Sequence, residues 1–377
     1  MINIRDTFLK LTSNRTPKGL EASVIALIPE FKFEKDEFDN YYYIIKKQDG
    51  TFSDTMFTSH LDTIDRGPTE WDNKRWDSAA GKYIIIDETK VSDDSGKPIK
   101  HVFEGDFVKT DGKTNLGADD KSGVTIMLNL MSEGVPGLYY FFMGEESGCV
   151  GSSSLSRVYD TKVTEGKLPK VVRCISFDRK GYDSVITRQM GSTCCSDDFA
   201  KELASKINEY GFWYKPDDGG VYTDSAEFID VIPECTNLSV GYFSEHTTTE
   251  KQDIEFLELL AVVLTKIDWD SLKVVRDITN ITYKGKKSKY SNFGWEDYDG
   301  EYYGGTYRNG YGTNNTTTTY TKPTTTIGET FVDDGKGKTT KLPKRVEVND
   351  EEFDKWYIEQ KNKNWTVENT HNEELVD

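Results

Sequence analysis

No stretch of this 377-residue chain is apolar for long enough to cross a bilayer. Its first residues, MINIRDTFLKLTSNRTPKG, hold no apolar signal core and read as an amphipathic helix ending near Thr12 and Ser13. Basic charge is in deficit: 47 Lys and Arg against 65 Asp and Glu leave a formal net charge of −18. That balance argues against a nucleic-acid groove or an anionic membrane surface as partner. Cysteine is scarce, and the five residues Cys149, Cys174, Cys194, Cys195 and Cys235 fit neither a zinc ribbon nor a secreted disulfide framework. Reduced thiols in a cytoplasmic chain are the expectation. Histidine is scarcer still, with four in the whole sequence, so the place of each is informative.

What the chain does have is a succession of short apolar runs that read as buried parallel strands: Thr55–Ser59, Leu138–Met143, Val171–Phe177 and Asn237–Phe243. Helical patterns over Ser122–Met131, Asp197–Tyr210 and Lys251–Ile267 lie between or after them. The alternation predicts an α/β fold: a mixed, mostly parallel sheet covered by helices on both faces. Residues 66–113 break the rhythm and read as a small inserted β element within a catalytic domain spanning 1–275. Composition then shifts. Residues 285–342 are rich in Gly, Tyr, Asn and Thr, with too few aliphatics to offset the entropy of ordering, and read as a disordered low-complexity linker. In the tail, 343–377, Asn349 and Glu352 resemble a capping box opening a short helix with Phe353, Trp356 and Tyr357 on one face.

Polar residues follow each strand. His60 and Asp62 follow the first, Glu145 and Glu146 the second, Asp178 the third, and His246 lies just beyond the fourth. In an open α/β sheet, ligands bind beyond the carboxyl ends of the strands. Asp119, in TNLGADDKSG before a helix, can reach the same edge by a loop. Each residue alone has an ordinary reading as a cap, turn or solvated loop; their coincidence points to a site. Two histidines with three or four carboxylates suit a pair of borderline divalent cations, zinc first, with cobalt or manganese compatible, and hold too much nitrogen for calcium. A carboxylate bridging two cations would explain why Asp119 and Asp120 stand side by side between glycines. His101 and His371 read as structural.

SHLDT (59–63), TDGKTNLGADDKSG (110–123), GEES (144–147), SFDRKG (176–181) and LSVGYFSEHTTTE (238–250) resemble, in this order, the motifs of the co-catalytic zinc exopeptidases, the group containing peptidase T and the zinc aminopeptidases. The resemblance covers about residues 1–270. It implies two divalent ions, Asp119 bridging them, His60 and Asp178 completing one position, and Glu146 and His246 the other. It further implies Glu145 as general base, Asp62 as the carboxylate orienting His60, and a cis bond between Asp119 and Asp120. Peptidase T-like enzymes carry a large lid between the residues matching Asp178 and His246; here residues 179–245 leave room for a helix and a strand only.

The implied activity is hydrolysis of a peptide bond near a chain end, most consistent with an aminopeptidase, through a water between the two ions and Glu145. A deacylase or carboxypeptidase on the same site is one alternative. A non-catalytic binding or assembly protein retaining the fold is another.

Overall fold

The structure, a computed structural model, describes residues 2–64 and 98–280, together with the backbone of four short strands at 74–77, 82–85, 331–333 and 339–341. Along the chain come α1 (Ile4–Leu11), α2 (Ala22–Ala26), β1 (Glu34–Lys35), β2 (Tyr41–Ile45) and β3 (Thr55–His60). The hairpin β4 (Lys74–Asp77) and β5 (Lys82–Ile85) follows, then β6 (Val102–Glu104), β7 (Phe107–Lys109), α3 (Ala118–Ser132) and β8 (Gly137–Phe142). Next are α4 (Val150–Ser156), α5 (Tyr159–Thr164), β9 (Arg173–Arg179), β10 (Ser184–Ile186), and the hairpin β11 (Arg188–Gln189) and β12 (Ser192–Thr193). The body ends with α6 (Asp197–Asn208), β13 (Lys215–Asp217), β14 (Glu234–Ser239), β15 (Tyr242–Phe243), β16 (Lys251–Asp253) and α7 (Ile254–Leu264).

Eight strands form the main sheet in the order β1-β2-β8-β3-β9-β14-β10-β13. β8, β3, β9 and β14 run parallel to one another at its centre, and antiparallel pairings join β2 and β10 on either side. The sheet is mixed and mostly parallel, as the sequence predicts. Its central strands are apolar on both faces because alternate residues serve two cores. Phe57, Tyr139, Phe141, Ile175 and Phe177 face one core, shared with α1, α3, α6 and α7. Met56, Leu138, Tyr140, Phe142 and Cys174 face the other, covered by α4, α5 and Phe228. α3 packs under β3 and β9 with α1 and α7 on its outer side, which buries it along nearly its whole length. All five cysteines are buried free thiols.

Two expectations change. The helix predicted from Lys251 starts at Ile254, because Asp253 caps it by accepting from Phe256 N at 3.0 Å and Lys251–Asp253 is strand β16. The element at 66–113 is not self-contained: β6 and β7 join a four-stranded sheet, β15-β16-β7-β6, whose other half comes from beyond β14. A lone hairpin is marginal in water, and pairing β7 with β16 supplies the further strands it needs. Inside the expected linker, Phe331–Asp333 pairs antiparallel with Thr339–Lys341. The rest of that linker, the tail helix and His371 lie outside the described residues.

Candidate metal centre

Because β3, β8, β9 and β14 are parallel, their carboxyl ends share one edge; His60 stands level with Phe142, the last residue of β8. β8 leads into Gly144, whose φ of 67° favours glycine, and then into a single 3-10 turn over Glu145–Ser147. Past the strand, the two glutamates no longer alternate. Asp62 holds this turn from below: its Oδ1 accepts from Glu145 N at 3.0 Å and its Oδ2 from Glu146 N at 3.2 Å. The same carboxylate lies 3.4 Å from His60 Nδ1, which also contacts the Asp62 carbonyl at 2.9 Å. One buried Asp therefore fixes both an imidazole and the turn opposite it.

The peptide bond between Asp119 and Asp120 is cis. The two side chains part company there. Asp119 splits its oxygens, Oδ1 lying 3.0 Å from His60 Nε2 and Oδ2 3.1 Å from His246 Nε2. Asp120 turns inward and accepts from Ser59 Oγ, from His60 N at 3.3 Å and from Gly123 N at 3.1 Å. A Cβ on Gly123 would sit 2.5 Å from Phe177 O and 2.6 Å from Asp120 Oδ1, which explains the glycine. Gly123→Ala is expected to destabilise the protein by about 1–3 kcal/mol, read as a lower urea midpoint at unchanged slope. An unaltered midpoint would show that this turn has room to relax.

Asp178, the last but one residue of β9, lies at a register shift in the pairing with β14. There the Asn237 side chain takes over the ladder, accepting from Asp178 N at 2.8 Å and donating to its carbonyl at 2.7 Å. Thr223 Oγ1 donates to Asp178 Oδ2 at 2.5 Å and Tyr242 OH to Oδ1 at 3.0 Å, aiming the carboxylate at His60 Nε2, 3.8 Å away. His246, at a φ of 62°, brings Nε2 to 3.0 Å from Glu146 Oε1. Glu145 Oε2 lies 3.9 Å from His60 Nε2.

The seven residues singled out in the sequence thus converge at one edge. Several supports were not singled out. Glu250 accepts from the N–H groups of Leu116 and Gly117 at 2.8 Å and of Asp119 at 3.0 Å, holding the glycine turn from inside. Burial pushes its carboxyl up to about 8 against these bonds. Lys121, wholly buried, donates to the Leu61 carbonyl between Asp62 and Asp120. Glu250 closes the last quoted motif and Lys121 stands inside the second, but a charged residue in a motif gives no sign of its partner. His101 contacts Thr12 Oγ1 at 2.9 Å, away from this edge.

Electrostatically the edge is built for cations. Burial would raise Asp119, yet His246 and His60 outweigh it and hold the carboxyl far below its usual range. Burial would lower His60, but Asp119, Asp178 and Asp62 raise the imidazole well above its ordinary value. The same balance, with Asp119 and Glu146 as partners, pushes His246 up to about 11. Burial, then the neighbouring Asp178, Asp224 and Glu146, raises the Glu145 carboxyl well above normal. Between the side chains alone, imidazolium protons must neutralise the converging carboxylates, a task that divalent cations perform equally well.

Ligand atoms of His60, Asp119 and Glu146 lie within 4.8 Å of one another, as do those of His60, Asp120 and Asp178. Asp120 is the weaker candidate because its oxygens are already committed to Ser59, His60 N and Gly123. The donor set fits borderline divalent metals. One further observation favours a cation: Glu146 Oε1 and His246 Nε2, shielded from solvent and 3.0 Å apart as an ion pair, are not aligned for a hydrogen bond with each other or with another group. Buried polar atoms left so are costly without an ion.

No protein-family profile matches the chain. One 69-residue stretch is 44% identical to the uncharacterized protein YqjE of Bacillus subtilis (strain 168), covering 16% of this chain and 19% of that protein. The chain therefore matches about a fifth of that relative's length. Among solved structures, aminopeptidase PepT from Bacillus cereus ATCC 10987 superposes with a TM-score of 0.51 at 16% identity, over 70% of this chain and 96% of that one. The fold is that of the exopeptidases its motifs resemble. A tripeptidase from Staphylococcus aureus subsp. aureus Mu50 gives a TM-score of 0.50 at 15% identity, over 70% of this chain and 96% of that one. The Pyrococcus horikoshii TET1 peptidase gives 0.50 at 16% identity, over 70% and 98%.

Proposed function

We propose that the chain is a metal-dependent exopeptidase, acting as an aminopeptidase with two divalent ions, zinc foremost. One observation carries the reading: the two oxygens of Asp119 point to two histidines, each backed by a further carboxylate, Asp178 beside His60 and Glu146 beside His246. Asp119 would bridge; His60 with Asp178 and His246 with Glu146 would complete the two positions. Bound there, the ions would supply a Lewis acid for the scissile carbonyl and lower the pKa of a water.

The chain's own residues do the rest. Glu145 takes the proton of the attacking water and hands it to the leaving amine. Asp62 keeps His60 and the Glu145 turn in register. The acidic edge suits a substrate ammonium better than a carboxylate, which supports cleavage from the amino end. We place this activity in residues 1–275, outside the linker and tail. Among the described residues no helix is long and apolar enough to cross a membrane; the five buried free thiols support a cytoplasmic enzyme.

The test couples composition to activity. Elemental analysis after mild dialysis is expected to find about two divalent ions per chain, and free-amine peptides are expected to be cleaved while N-acetylated ones are not. Cleavage of N-acetylated peptides with a free carboxyl end would instead make it a carboxypeptidase or deacylase. Absence of metal, with no activity on adding zinc, manganese or cobalt, would leave a binding protein on this fold.

A further inference from the structure

A separate cleft lies on the outer face of the small sheet β15-β16-β7-β6. On β7, Phe107 and Lys109 flank Val108, which is buried in the core, and on β16 Lys251 precedes buried Gln252. Strand alternation therefore sends Phe107, Lys109 and Lys251 outward together. Lys251 stands opposite Lys109 on one side and Phe243 on the other, and Lys109 stands opposite Val102. Val102, Phe107, Lys109 and Lys251, with Thr248 and Thr249 from the loop that carries His246, line a cleft of about 770 Å³. That volume is in the range that takes a small molecule. None of the seven residues of the metal centre lines it.

Lysines directly opposite each other on paired strands repel, and the chain neutralises only one of these two. Lys109 is paired with Glu104, and Asp111, the other carboxylate at the cleft, lies 3.5 Å from Lys113. Among the described residues Lys251 has no carboxylate at ion-pair distance. Its ammonium lies instead 4.3 Å from the centroid of the Phe107 ring and 5.9 Å from that of Phe243, within cation–π range. The rings hold the charge at the cleft wall, where a free side chain would swing in water. In a chain of net charge −18, Lys251 is thus a positioned cation without an acidic partner.

We infer that this cleft binds a small monocarboxylate with an apolar body, its carboxylate on Lys251 and its body against Val102 and Phe107. The site stands apart from the metal centre and does not depend on the peptidase reading. One uncompensated positive charge matches one negative charge. A dianion such as phosphate would bring a second charge beside Glu104 and Asp111. A cation would meet Lys251, and a neutral molecule would leave its ammonium without a partner.

Fluorine NMR of 4-fluorobenzoate with the full chain as purified tests this. Its resonance is expected to broaden on binding at a single site with a Kd of about 1 mM or tighter. 4-Fluorobenzamide, which keeps the shape without the charge, and 4-fluorobenzylamine, which reverses the charge, are expected to bind about 10-fold or more weakly. Lys251→Met keeps the stem on Phe107 but removes the charge, and is expected to weaken fluorobenzoate by about 10-fold. Lys251→Arg keeps a cation that stacks on aromatic rings and is expected to stay within about threefold of the natural chain. Circular dichroism checks that both variants fold. No broadening at millimolar ligand, equal binding of the amide, or an affinity unchanged in Lys251→Met overturns the site, the last by placing the carboxylate elsewhere, the metal centre included. Loss of binding in Lys251→Arg as complete as in Lys251→Met overturns it as well, because charge at residue 251 would then not be what binds.

Discussion

Glu145→Gln is expected to cut kcat by about 10²–10⁴-fold, toward the upper end, while leaving metal content near that of the natural chain. Glutamine keeps the volume and the backbone bond from residue 145 to Asp62, so the turn stays in place. It removes only the group that accepts the water proton. Glu146→Ala is the contrasting change. It deletes the carboxylate 3.0 Å from His246 Nε2 and is expected to weaken one ion, leave the other bound through His60, Asp119 and Asp178, and respond to excess metal. The glutamine variant gains nothing from added cation, which supplies no proton acceptor. Metal analysis beside steady-state kinetics separates the two. Metal loss on changing Glu145 with simple rate loss on changing Glu146 would exchange their roles. No effect from either would remove the peptidase reading at its centre.

Asp119→Ala is expected to abolish activity to the limit of detection and to release both ions at once. Its two oxygens are shared between His60 and His246, so a single deletion leaves each position short of a ligand. The turn itself should persist, because Glu250 holds the N–H of residue 119 and those of Leu116 and Gly117, not the Asp119 side chain. Circular dichroism and a cooperative unfolding transition check that it does. Stoichiometry by elemental analysis is the deciding measurement. Retention of one ion would assign Asp119 to a single position, and retention of both would end its role as a bridge.

Both changes depend on how alike neighbours were given different work. Glu145 and Glu146 are adjacent, as are Asp119 and Asp120, and nothing in their chemistry separates them. Gly144 takes the first pair out of strand geometry, so both can face the edge. At the second pair, Ser59, the His60 amide and Gly123 draw Asp120 inward and leave Asp119 facing the histidines. The sequence raises the question of the paired aspartates; backbone geometry and partners some sixty residues away answer it.

Short runs that are apolar at consecutive positions, separated by helical patterns, determined a parallel sheet with two covered faces. Strand alternation is local, and it needs no knowledge of neighbours. From that, the carboxyl-end rule placed His60, Asp62, Glu145, Glu146, Asp178 and His246 at one edge. Periodicity could not give the contacts that steer them. Asn237 reaches Asp178 only because the β9–β14 register shifts there. Thr223 and Tyr242 aim Asp178, and Glu250 clamps a turn 131–134 residues earlier, through loops of irregular backbone. The strands of the inserted element likewise pair with β15 and β16, not only with themselves. Local residue pattern sets which faces are buried, whereas long-range partners depend on register, bulges and loop paths, and only the folded chain decides those.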